Sequence, residues 1–214
     1  MIKIDKVKKR YIIIILLDAI VVGVLLYLFI LPVYPEIKYR LFSDKELSSY
    51  NTDETTVAEI KEEAKKLVAG LPAAEFDISS DRLMIKKIGV NIPITDFADS
   101  DYGLSLGAWR DPESSTPNRG GNTVITGHRF KYLPPSNMTF YLLHKLEIGD
   151  IFTVFWKDEH YIYKVRETKI VEPTELSILD QTDESIVTLY TCDPIYSQKH
   201  RLVVVGELVL DSSD

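Results

Sequence analysis

From residue 81 onward no apolar run is long enough for a core helix, and this more than anything limits what the chain can fold into. Runs at 82–88, 92–95, 122–126, 151–156, 161–171, 185–191 and 201–210 are rich in Val, Ile, Tyr, Phe and Thr, and Gly, Pro, Asp or Asn bounds most of them. β-branched and aromatic residues in short runs between turn residues read as strands. Lys157-Asp158-Glu159 lies between two of them and reads as a hairpin turn. Only 138–144 and 175–179 suggest short helical turns. A segment of about 130 residues buries roughly two-thirds of its unfolded surface, enough for a core. The expected class is all-β, and periodicity leaves sandwich and barrel equally open.

Residues 1–80 have a different texture. Lys3, Lys6, Lys8, Lys9 and Arg10 precede an apolar stretch, 11–31, broken only by Asp18 and closed by Pro32 and Pro35. A helix of that length rises about 31 Å, the hydrocarbon thickness of a bilayer. The basic segment 1–10 places the N-terminus in the cytoplasm and the remainder outside. No small-x-small cleavage site follows the span, so 11–31 reads as a single-pass transmembrane anchor rather than a signal peptide. Residues 32–80 form an extracellular spacer. Within it Thr56 and Glu59 have capping-box spacing, and Val57, Ile60, Ala64, Leu67 and Leu71 share one helical stripe. An amphipathic helix over 56–69 is expected there, a stalk on the domain or membrane surface or a lid over the site. Residues 211–214 are a tail.

A net charge of −7 and a pI near 5.2 argue against nucleic-acid binding, which needs a basic surface. A single cysteine, Cys192, makes no intramolecular disulfide and supplies too little sulfur for a structural zinc site. No metal or cofactor is expected.

A free thiol outside the cytoplasm is exposed to oxidation and mispairing, so its presence asks for a reason. Cys192 ends an apolar strand and is followed by Asp193-Pro194. It is either a nucleophile at a strand exit or a small buried hydrophobe. His128 follows Thr126-Gly127 at another strand end, and imidazole is the usual proton partner of a thiol. His144, His160 and His200 compete for that role on composition alone. Arg201 opens an apolar strand, where a guanidinium either donates to a developing oxyanion or pairs with an acid such as Asp193.

Together these segments resemble the sortase family, the membrane-anchored cysteine transpeptidases of bacterial surfaces. Thr188-Leu189-Tyr190-Thr191-Cys192 matches that family's TLxTC signature. Arg201 falls at the family's arginine, in Arg-Leu-Val-Val-Val, and Gly127-His128 fits its histidine. The approach from Gly107-Ala108-Trp109 through Thr116-Pro117 to Gly120-Gly121-Asn122 is similar as well. The segment 82–90 looks like the first strand of the family domain, with Lys86 where a proline is usual.

The resemblance covers 81–210 and implies a closed eight-stranded β-barrel. It implies that Cys192 attacks the Thr–Gly bond of an LPxTG-like sorting signal. The thioacyl-enzyme then passes its acyl group to an amine of peptidoglycan precursor or of another surface protein. His128 would move the protons, Arg201 would hold substrate and stabilise the oxyanion, and Thr191 would help orient the substrate. The partners implied are sorting-signal proteins, an amine acceptor and the lipid bilayer. The short 193–200 segment and the single N-terminal anchor suggest a class D- or E-like member. Two alternatives remain from the residues. One is another exported cysteine acyl-transferase of the L,D-transpeptidase kind, though its His-Gly-Cys run is missing. The other is a silent, membrane-tethered binding barrel.

Overall fold

A computed structural model describes residues 2–46, 81–131 and 137–211. The helix expected over 56–69 lies outside the described residues. Eight strands close into one barrel: β1 (Arg82–Ile85), β2 (Val90–Thr95), β3 (Ala108–Arg110), β4 (Asn122–Thr126), β5 (Ile151–Trp156), β6 (Glu159–Val171), β7 (Ile186–Asp193) and β8 (His200–Asp211). Around the barrel the order is β1-β2-β3-β4-β7-β8-β6-β5. β1 closes it by antiparallel pairing with β5, Leu83 opposite Val154. Two neighbour pairs are parallel, β2 with β3 and β4 with β7. The all-β expectation holds, and closure selects the barrel over the sandwich.

Strand alternation separates the faces. Ile85, Ile92, Ile125, Val154, Val187, Leu189, Leu202 and Val204 point inward, joined by Phe140, Phe152 and Tyr163. Ile186, Val203 and Val205 point outward, where Ile178 and Val171 cover them. That cover is held by the buried Asn122. Its Nδ2 donates to the carbonyls of Ile178 and Asp180 at 3.1 and 3.0 Å, and its Oδ1 accepts from Thr188 Oγ1 at 2.8 Å.

Several local details differ from the strand reading. The first run stops at Ile85, because Lys86–Ile88 forms a 3-10 turn ended by Gly89 at φ 66°. Lys87 points into the barrel edge and pairs with Asp150 at 2.8 Å and Glu147 at 3.2 Å. β3 was not expected from the pattern, nor was the short helix α3 (Ser100–Leu106), capped by Asp99 accepting from the Tyr102 N–H. Lys157 and Asp158 both have positive φ, the twist a two-residue hairpin needs between β5 and β6.

At the N-terminus α1 (Ile2–Ile30) runs through a 3-10 turn, Leu31–Val33, into α2 (Tyr34–Glu46). Pro32 and Pro35 sit in first turns, where no N–H is missed, so they do not stop the helical path. α1 leaves its Ile, Leu, Val and Phe side chains from Tyr11 to Ile30 exposed and is long and apolar enough to cross a membrane. α2 rests on the barrel. Tyr141 Oη donates to the Pro32 carbonyl at 2.9 Å, Glu36 pairs with Lys145 at 2.7 Å, and Tyr39 packs against the core.

Gly206 faces inward on β8, and a Cβ there would come within 2.5 Å of the Phe152 ring, itself stacked on Tyr163. Gly206→Ala should therefore cost about 1–3 kcal/mol from overpacking. Chemical denaturation of the two proteins measures it, and an unchanged midpoint would contradict this packing.

Candidate active site

The parallel pairing of β4 on β7 keeps one offset, from Asn122 opposite Ile186 to Thr126 opposite Tyr190 (190 − 126 = 64). Two contacts carry that offset past the end of β4. Thr191 Oγ1 donates to the Gly127 carbonyl at 2.7 Å (191 − 127 = 64). Arg129 Nη1 lies 3.5 Å from Asp193 Oδ1 (193 − 129 = 64). Between these two contacts, the same offset brings His128 level with Cys192 (192 − 128 = 64). Gly127 makes the exit possible, since a Cβ there would press on the Phe140 ring at 3.1 Å. The Phe140 N–H then donates to the His128 carbonyl at 2.8 Å and pins the turn.

On the other side β8 runs antiparallel to β7, with Arg201 directly opposite Cys192. Directly opposite residues share a face. Leu189 and Leu202 point into the barrel, so Cys192 and Arg201 both belong to its outer surface. Cys192 is a free, partly exposed thiol. Arg201 Nη1 donates to the carbonyls of Gln198 and His200, each at 3.1 Å, which holds the guanidinium along the β7–β8 connection. Thr191 alternates to the inner face and is only 1% exposed, its hydroxyl spent on Gly127. It shapes the strand exit and does not open onto the surface.

The other histidines are occupied elsewhere. His200 Nδ1 is 3.3 Å from Glu172, His160 pairs with Phe155 in the β5–β6 hairpin, and His144 contacts Arg129. Burial holds the His128 pKa below the ordinary 6.5. Lys131 pushes in the same direction, and Asp101 on α3 partly opposes it. His128 is therefore mainly neutral at neutral pH.

Arg129 escaped the sequence reading, and Asp193 was offered there as a partner for Arg201. The structure pairs Asp193 with Arg129 instead, a guanidinium whose side chain is 5% exposed. Its Nη2 lies 3.1 Å from His144 Nδ1. The signal in the sequence is a complementary charge placed one residue after the histidine and one after the cysteine.

His144 is likewise held below 6.5, by burial first and then by Arg129 and Lys145. A depressed histidine contributes stability that is complete above its unfolded pKa and is lost as pH falls below it. The melting temperature should thus drop on acidification from about pH 7.5 to about pH 5, and less so in His144→Gln, which still accepts from Arg129 without titrating. Equal drops in both proteins would show that the Arg129–His144 contact plays no part.

Comparison with known proteins agrees with this fold. The model of the sortase domain matches residues 83–209, more than half of the chain. Sortase SrtE1 of Streptomyces coelicolor is 29% identical over 142 residues, which is 59% of this chain and 39% of that protein. Sortase A of Listeria monocytogenes is 35% identical over 88 residues, 41% of this chain and 38% of that protein. The chain thus spans less than half the length of these two relatives. Among solved structures, Listeria monocytogenes sortase A superimposes with a TM-score of 0.54 at 28% identity, covering 63% of this chain and 90% of that one. Sortase E1 from Streptomyces coelicolor, solved with a tripeptide in its active site, gives 0.55 at 26% identity, with 62% and 89% coverage.

Proposed function

Because the chain belongs to the sortase family, we propose that it is a cysteine transpeptidase that cuts an LPxTG-like sorting signal and joins the freed acyl group to an amine. The observation that carries this reading is the shared offset of 64. It sets His128 against Cys192 between the Thr191–Gly127 and Arg129–Asp193 contacts, with Arg201 opposite on β8.

In this mechanism neutral His128 takes the Cys192 thiol proton, becoming imidazolium, as Cys192 Sγ attacks the carbonyl carbon of the Thr–Gly bond. The electron pair moves onto the carbonyl oxygen, where the Arg201 guanidinium lowers the energy of the developing charge. Collapse of the tetrahedral intermediate breaks the C–N bond, and imidazolium at His128 gives its proton to the departing amine. The resulting thioester is attacked by the acceptor amine, which loses its proton to neutral His128 as Sγ leaves. The lowered pKa of His128 suits the base step, since an unprotonated imidazole is available at neutral pH. Thr191 contributes by keeping β4 and β7 in register.

The reading also places the enzyme. α1 spans the bilayer with its Lys-rich start in the cytoplasm, and the barrel works on the outer side. Its substrates there are sorting-signal proteins, and its acceptor is peptidoglycan precursor or another surface protein.

Cleavage of an LPxTG-type peptide, followed by mass spectrometry with and without an added amine, tests the reaction. Cys192→Ala should abolish cleavage, and His128→Ala should lower kcat by about a hundredfold or more. An Arg201→Ala loss of about 10²–10³ in kcat is expected if it serves the oxyanion. Undiminished cleavage by Cys192→Ala would sink the proposal.

A further inference from the structure

Arg129 and Asp193 each lie one residue past the pair they flank, Arg129 after His128 and Asp193 after Cys192. Their side chains are 5% and 17% exposed, so this is not a solvated surface pair. Among the described residues Arg129 Nε and Nη1 have no hydrogen-bond partner. Its stabilising neighbours are the Asp193 carboxylate at 3.5 Å and His144 Nδ1 at 3.1 Å. Burial pushes the Arg129 pKa down, and Asp193 first, then Tyr141 and Cys192, partly oppose it. A buried charge that loses its counter-charge is strongly disfavoured, so each partner fixes where the other can go. The two strand ends are locked together at the level of the sulfur.

We propose that Arg129 and Asp193 are a positioning pair that holds Cys192 against His128 and sets the charge balance around the sulfur. The proposal rests on Cys192 being the nucleophile of the transpeptidase reading. Arg129, its side chain 5% exposed, acts through the strand ends and through charge.

Editing this pair alters His144, which loses its Arg129 contact, while the remaining groups keep their places around the sulfur. Arg201 faces it from β8, and His128 from the exit of β4. Tyr190 lies on its own strand, and burial pushes its hydroxyl pKa up, so it stays neutral. His144, beyond Arg129, is held mainly neutral by its own burial. Removing one member therefore leaves the other's charge uncompensated beside Cys192. The sign of the effect depends on which member is removed.

The test uses the full chain in detergent micelles and the rate of iodoacetamide alkylation of Cys192 at neutral pH, which needs no substrate. Arg129→Met leaves the carboxylate alone and should slow alkylation about tenfold; Asp193→Asn leaves the guanidinium alone and should speed it a few-fold. The double variant should return toward the starting rate. Arg129→Lys keeps the charge and should alkylate near the original rate. In peptide assays both single changes should lower kcat with KM little moved, because binding groups are untouched.

A merely structural role predicts something else: all variants slow in proportion to their loss of melting temperature, and Asp193→Asn is never faster. That result overturns the proposal. Should Arg129→Met fail to fold, Asp193→Asn decides alone, acceleration supporting the pair and no change or slowing refuting it. A chain that alkylates as expected but cleaves no peptide refutes the transpeptidase reading and leaves the charge effect standing.

Discussion

The parallel seam between β4 and β7 is the constraint on which the site depends. Parallel strands need a long crossover, and here it is the stretch from Gly127 to Ser185, which contains β5 and β6. That crossover brings together residues 64 positions apart at a fixed level. One slipped residue would turn every side chain of β7 to the other face, sending Cys192 inward and Thr191 outward. Register is protected on both sides of the seam. The inner face is tied by Val187 and Leu189 in the core, and the outer face by the Asn122–Thr188 contact. Precision at Cys192 is thus inherited from packing several residues away.

Electrostatics builds on that register. An imidazole, two guanidiniums and a carboxylate converge on one strand end, and burial decides how each behaves. His128 is depressed by desolvation and so stays mainly neutral at neutral pH. Arg129 is buried with the Asp193 carboxylate 3.5 Å from its Nη1 and His144 Nδ1 3.1 Å from its Nη2. Arg201, more exposed, is steered by the carbonyls of Gln198 and His200. Two positive side chains near one sulfur serve different ends: one can face an incoming peptide, and the other is committed to the protein.

Much of this was legible in the residues. The strands around Leu189 and Val203 are dense β-branched and aromatic runs, and the TLxTC segment singled out Cys192. What escaped has physical reasons. β3 is only Ala108–Arg110, too short to show a period, and it exists because Trp109 and Arg110 pair with Thr126 and Ile125. Barrel closure rests on β1 meeting β5 about seventy residues later, a non-local event that local periodicity does not encode. α2 was hidden by Pro32 and Pro35, which read as breakers but occupy first turns. Thr191 reads as helping to orient the substrate, and strand alternation turns its side chain inward. Arg129 gained meaning only when the offset of 64 put Asp193 beside it.

The central claim is that residues 128 and 192 meet side by side, and the lone cysteine makes this directly measurable. His128→Cys gives a chain with two thiols at the exits of adjacent strands, and a disulfide forms between them only if their Cα atoms lie about 4.4–6.8 Å apart. After mild oxidation, intact mass and peptide mapping should show one intramolecular 128–192 bridge. Two free thiols, or only intermolecular dimers, would contradict the convergence on which the account stands.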